Sequence, residues 1–221
     1  MSILEEQITR TLLPGMTLPE PFKQLFEWIE DRGLYIDTQK GRIGFLFPEA
    51  EMKANWTRSG RSGGTNIELA AEGNANLNYW FGHERPEVLN RLCVFAETGA
   101  DGSMAAFWLD PTGQQKIVHL GSGSGSMMVC VLASTPVDFL RLLAIGYDEI
   151  CWSEQFSEPP VTESMDGAFA VQPNVAFQEW VRATFGVTVP SAASEIVEHP
   201  DDMGKSESQD EFNLWVEANA A

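Results

Sequence analysis

Basic residues are scarce in this sequence. Lysine and arginine number 14 in 221 residues, against 32 aspartates and glutamates, for a net charge of −18. A surface so poor in cations cannot neutralise many phosphates, which argues against direct nucleic-acid binding. Histidine and cysteine are scarcer still, at three each. A three-histidine metal centre would need His83, His119 and His199 together, and His83-Glu84 lacks the second histidine of an HExxH zinc site. Cys93, Cys130 and Cys151 are odd in number and widely spaced, which fits neither zinc-ligand spacing nor a disulfide framework. Each stands among apolar neighbours, as buried free thiols do, and a reducing cytoplasm suits them. Long apolar runs are absent too. The longest, Met127–Ala133, falls far short of the ~20 residues that span a bilayer. The opening MSILEEQITR lacks the basic stretch and apolar core of a secretory signal. The expectation is a cytoplasmic chain with no membrane segment, no metal and no cofactor.

Apolar residues make up 43 % of the chain, with 7 tryptophans and 13 phenylalanines, enough to bury a core. The charge is unevenly spread. Residues 1–60 carry a net −2, residues 61–120 a net −3, and residues 121–221 a net −13. Such a surface attracts and steers a basic protein partner, while also serving solubility.

Periodicity predicts the elements. Residues 3–13 form a short helix stopped by Pro14-Gly15, and Phe22, Leu25, Phe26 and Ile29 mark the buried stripe of a second, ended by Gly33. Ile43–Phe47 reads as a strand, 48–77 as a long irregular loop, and Tyr79-Trp80-Phe81 and Leu92–Ala96 as strands. Met104–Leu109 and Lys116–Leu120 form a hairpin across Asp110-Pro111-Thr112-Gly113, which carries the residue preferences of a type I turn. Met127–Ala133 is apolar on both faces and reads as a strand in the middle of the sheet. Thr135-Pro136-Val137-Asp138 opens a helix that buries Phe139, Leu140, Leu142 and Leu143. After an acidic connection over 148–173, Asn174 caps a helix striped with Phe177, Trp180, Val181 and Phe185, and Ser208-Gln209-Asp210-Glu211 is a capping box for a last one. Strands in the middle and helices at both ends predict an α+β fold. We expect a single domain over 1–221, its largely antiparallel sheet covered by helices, with a core over about 17–147 and a C-terminal helical extension over about 174–221.

The run Gly121–Ser126 raises the question of a phosphate-binding loop. No lysine stands between Lys116 and Lys205, a strand rather than a helix follows, and GxGxG is not the GxGxxG of a dinucleotide fold. No serine has glycine two residues before and two after it, so the hydrolase elbow fails as well. A flexible link between two antiparallel strands remains. The thiol–histidine pairs Cys93 with His83 and Cys130 with His119 stay open as an enzyme reading, though nothing flanking them marks a reactive thiol.

The phrases Phe107-Trp108-Leu109-Asp110-Pro111-Thr112-Gly113, Ile117–Ser122, Val129–Ala133 and Thr135–Tyr147, with the opening Leu18-Pro19-Glu20-Pro21-Phe22, resemble the SUKH superfamily. These are bacterial immunity proteins whose fungal relatives regulate cell-wall assembly. The likeness is fullest over 104–147 and extends to 17–47, while 48–100 reads as an expanded central region. The family's asparagine-glycine-glycine after the first helix is replaced by Asp31-Arg32-Gly33-Leu34, and Asn174–Val197 resembles the tail of some longer members. The resemblance implies a SUKH-like fold and a protein that binds and neutralises a cognate toxin, often a nuclease, without catalysis. Acidity independently suits a basic toxin. The connection supplies candidate partner-binding residues in Asp148, Glu149, Trp152, Glu154, Glu158, Glu163 and Asp166, an aromatic anchor among carboxylates. The alternative at this position is that Trp152 covers the preceding helix and the acids are solvated. Two other functions stand beside the first: an intracellular regulatory or scaffold protein of the same fold without a toxin partner, and a Cys/His enzyme.

Overall fold

The structure is a computed structural model, and it describes residues 1–48, 50–51, 60–160, 170–205 and 207–220. The α+β expectation holds. Seven strands form one antiparallel sheet in the order β1-β2-β4-β5-β6-β7-β8: β1 Tyr35–Thr38, β2 Gly41–Gly44, β4 Glu68–Gly73, β5 Leu92–Glu97, β6 Met104–Leu109, β7 Gln115–Leu120 and β8 Val129–Ala133. The short strands β3 Gly60–Ser62 and β9 Ala170–Gln172 pair in parallel beside it. Among the described residues the helices are α1 Ile3–Thr11, α2 Glu20–Asp31, α3 Leu77–Phe81, α4 Pro86–Leu89, α5 Pro136–Ile145, α6 Val175–Phe185 and α7 Glu211–Asn219.

Alternation along the central strands sends side chains to both faces, and both are buried. On the first face lie Phe95, Phe107, Ile117 and Cys130 under α2, α5 and α6. Phe22 of α2 stacks on Phe139 of α5 at 5.7 Å and meets Phe95 and Phe107 edge-on at 5.1 and 5.0 Å. On the second face Val94, Trp108, Val118 and Leu120 lie under α3, α4 and α7, with Trp108 5.0 Å from Phe212 and 5.5 Å from Trp215. Burying each such ring contributes roughly 1.5–3 kcal/mol.

Local chemistry fixes the elements that were read correctly. The Asp110 carboxylate accepts from the amides of Thr112 and Gln114 at 2.8 and 2.9 Å, and Gly113 adopts φ +86°, closing the β6–β7 hairpin. The Thr135 hydroxyl accepts the Asp138 amide at 3.1 Å to start α5, and Gly146 at φ +101° ends it. Asn174 caps α6 through the Phe177 amide at 3.1 Å, and Gly186 at φ +64° stops it.

Five expectations are corrected. The region 48–77 is not simply irregular, because β3 and β4 lie in it. Strand β4 has few strand-favouring side chains and exists because β2 and β5 flank it on both sides. Tyr79-Trp80-Phe81 belongs to helix α3, where Leu77 and Phe81, four apart, share the buried side. The strand placed at Ile43–Phe47 ends at Gly44. The last helix is capped by Asp210, whose carboxylate accepts from Phe212 and Asn213 at 2.9 and 2.8 Å, while Ser208 supports Asp210 from outside the helix. Strand β8 is the edge of the sheet, not its middle.

That edge is nevertheless closed. The C-terminal extension runs from α6 on the first face round β8 to α7 on the second. On the way Asp201 O accepts the Val129 amide at 2.8 Å, the Asp210 carboxylate accepts the Val131 amide at 2.9 Å, and Asn213 Nδ2 donates to Val129 O at 2.9 Å. Unpaired edge groups template association with other chains, and here these three are satisfied internally. The strand is apolar on both faces because both are covered, which its position at the edge does not change.

Candidate functional site

The acidic connection leaves α5 at Gly146 and is tied down at once. Tyr147 O and Asp148 O accept the amides of Gly64 and Asn66 at 2.7 and 2.8 Å, and the Ile150 amide donates to Thr98 O at 2.9 Å. Asp148 pairs with Arg61 at 3.0 Å, both side chains largely shielded. Glu149 accepts from Asn66 Nδ2 at 3.2 Å and the Ala100 amide at 3.3 Å, and the Trp152 indole N–H donates to its other oxygen. Asp148, Glu149 and Trp152 therefore tie segments of this chain together, and Trp152 is half-buried rather than presented as an anchor.

Glu154 and Glu158 of the same connection are exposed. The Glu158 backbone is held, because the Tyr147 hydroxyl donates to its carbonyl at 2.6 Å and accepts the Ala193 amide at 3.1 Å. Glu163 and Asp166 lie outside the described residues. What the sequence did not single out is Asp202. It lies on the C-terminal extension, where its carboxyl is raised above the usual range, by burial first and the nearby Glu154 carboxylate second. Glu154 thus lies within electrostatic reach of Asp202, an acidic ridge that Asp201 reinforces and Lys205 tempers. The Asp201-Asp202 doublet was visible in the sequence, but its partner stands 48 positions away, between residues 154 and 202.

The Gly121–Ser126 loop is built round a carboxylate. Asp101 accepts from the Ser122 and Ser103 hydroxyls at 2.8 and 2.9 Å and from the Ser126 and Ser103 amides at 2.7 and 3.0 Å. Those donors overcome burial and bring its carboxyl down to about 2. A Cβ on Gly125 would lie 2.7 Å from Asp101 Oδ2, and one on Gly121 would lie 2.6 Å from Ser126 O. The loop is an anion cradle whose anion is the protein's own, so the glycines serve close approach rather than a phosphate. Its side chains also hold what was expected to be a flexible link.

Beside it His119 is fully buried. Its Nδ1 lies 2.8 Å from Met128 O, an acceptor only, so Nδ1 carries the proton and Nε2 accepts from the Thr98 hydroxyl at 3.0 Å. Burial lowers the ring to about 4. Cys130 faces His119 across β7 and β8, yet both ring nitrogens are already engaged. Cys93 and His83 lie on opposite faces of the sheet. Burial raises all three thiols, which keeps them protonated at neutral pH.

Among the described residues no group of three His, Cys, Asp or Glu side chains is placed to hold a metal ion, and no helix is long and apolar enough to cross a membrane. No family model matches this chain, and neither a curated protein nor a solved structure matches it.

Proposed function

We propose that this chain is an immunity-type protein of SUKH-like kind that acts in the cytoplasm by binding a basic protein toxin and performs no turnover of its own. The observation that carries this reading is the Glu154–Asp202 ridge: two exposed carboxylates, the first raising the second, with Lys205 near Asp202 but forming its salt bridge with Asp201. Like charges held together cost stability in the free protein, and a basic partner relieves that cost on binding. Glu158 is a further exposed carboxylate of the same connection, whereas Asp148, Glu149 and Trp152 tie that connection to the fold. The engaged nitrogens of His119 and the raised thiols favour binding over catalysis. The three free thiols suit a reducing compartment, and the scarcity of cations disfavours direct contact with nucleic acid.

The test is direct. A secreted effector with a basic toxin domain, captured by the full chain, is purified and titrated calorimetrically. Raising salt from about 50 to about 300 mM is expected to weaken binding about tenfold. Glu154→Lys with Asp202→Lys is expected to weaken it by about as much again at low salt. A partner whose affinity changes with neither removes the acidic ridge as the binding surface. Capture of housekeeping proteins alone supports a regulatory or scaffold role.

A further inference from the structure

A groove of about 480 Å³ opens on the first face, where the end of α2, the chain leaving β2 and the start of α6 meet. That volume falls within the ~300–1,000 Å³ of small-molecule sites. Leu34, Leu46, Phe47 and Val175 give it apolar walls, and Val175 is 57 % exposed although it is a large aliphatic residue. Its polar groups are mainly donors. Arg32 is exposed at the end of α2, its guanidinium 4.6 Å above the Trp28 ring, and no carboxylate among the described residues pairs with it. Asn174 caps the Phe177 amide, leaving the first-turn amides of Val175 and Ala176 without an acceptor at the positive end of an 11-residue helix. Trp28 also lines the groove, is only 4 % exposed, and its indole N–H has no hydrogen-bond partner. Glu51 reaches the groove as well, with the Ser62 hydroxyl donating to it at 3.0 Å.

This is unusual in a chain of net charge −18. A guanidinium and two open amides gather at one apolar hollow. We infer that the groove binds a small amphipathic monocarboxylate, an apolar chain or ring carrying a single anionic head. The body lies against Leu34, Leu46, Phe47 and Val175, and the head lies between Arg32 and the first turn of α6. This site is separate from the acidic ridge and does not depend on a toxin partner.

The full chain is titrated with decanoate and, in parallel, with methyl decanoate, which keeps the apolar body and loses the charge. Calorimetry gives the affinities, and amide shifts of Val175 and Ala176 report the place. Saturable one-to-one binding of decanoate is expected, about tenfold tighter than the ester, with shifts centred on α6. Arg32→Gln, an exposed substitution, is expected to bring decanoate to the level of the ester and leave the ester unchanged. Ala176→Trp, checked for folding by its thermal melt, is expected to fill the groove and remove both. Equal affinity for acid and ester, shifts confined to another face, or no saturable binding by the wild-type chain each overturns the assignment.

Discussion

Asp101 shows how one side chain decides the character of a loop. Its four donors come from Ser103, Ser122 and Ser126, and an amide in its place could not accept all of them. Asp101→Asn is expected to cost about 1–3 kcal/mol in urea unfolding and to speed amide exchange over 122–126. His119 sets a different pH window. Its ring is held at about 4 against an ordinary 6.5, so the unfolded chain binds a proton that the folded chain refuses. The stability it contributes is complete above about pH 6.5 and is lost progressively as pH falls toward about 4. Asp101, held at about 2, loses its contribution only below the ordinary carboxylate range of about 3.8. Unfolding free energies between about pH 7 and pH 4.5 should therefore decline in the wild type, and His119→Gln should flatten that decline. The glycine and serine content of the loop was plain in the sequence. That the anion it surrounds is Asp101 was not, because the two are joined only through the β5–β6 turn and its approach to the loop.

Among the elements, α2 and the β6–β7 hairpin were legible, and α3, β4 and the place of β8 were not. Helix α2 carries its own signal: Phe22, Leu25, Phe26 and Ile29 recur at helical spacing and are all fully buried. The hairpin carries its turn chemistry in Asp110 and Gly113. Helix α3 is too short for a period to show, and its aromatic residues favour strands when considered alone. Strand β4 is a strand because of its neighbours. Strand β8 looked central because apolar residues fill both its faces, but a run of side chains reports how the faces are covered and says nothing about the edges. The cover of that edge depends on Asn213, which is 1 % exposed and donates to Val129 O and, at 3.0 Å, to Asp202 O. Asn213→Ala should leave these carbonyls short of a donor and cost about 1–3 kcal/mol, measured by denaturant unfolding. A concentration-dependent rise in association, followed by light scattering, should accompany it as the β8 edge opens.

For the whole molecule, one sheet divides two cores, and the chain's last third encloses the sheet from both sides. The chain from residue 121 onward also holds most of the negative charge, with residues 121–221 at a net −13. Self-repulsion of this size works against the compact state and is screened by salt. Thermal midpoints are expected to rise as sodium chloride increases from about 50 to about 500 mM, and a midpoint that falls would show that local ion pairs such as Arg61–Asp148 outweigh the overall repulsion. Sequence by itself determined the α+β class, the buried faces of α2, α5 and α6, the β6–β7 turn and the acidic excess. Each of these is written in spacing or composition, which act over a few residues or over the chain as a whole. Only the tertiary structure decided which carboxylates remain free. It consumed Asp148 and Glu149 in ties to Arg61, Asn66 and Trp152, brought Glu154 within electrostatic reach of Asp202, and gave the glycine-rich loop Asp101 as its anion. Contacts between residues far apart in the chain depend on how helices and strands pack, and a one-dimensional pattern carries no record of that packing.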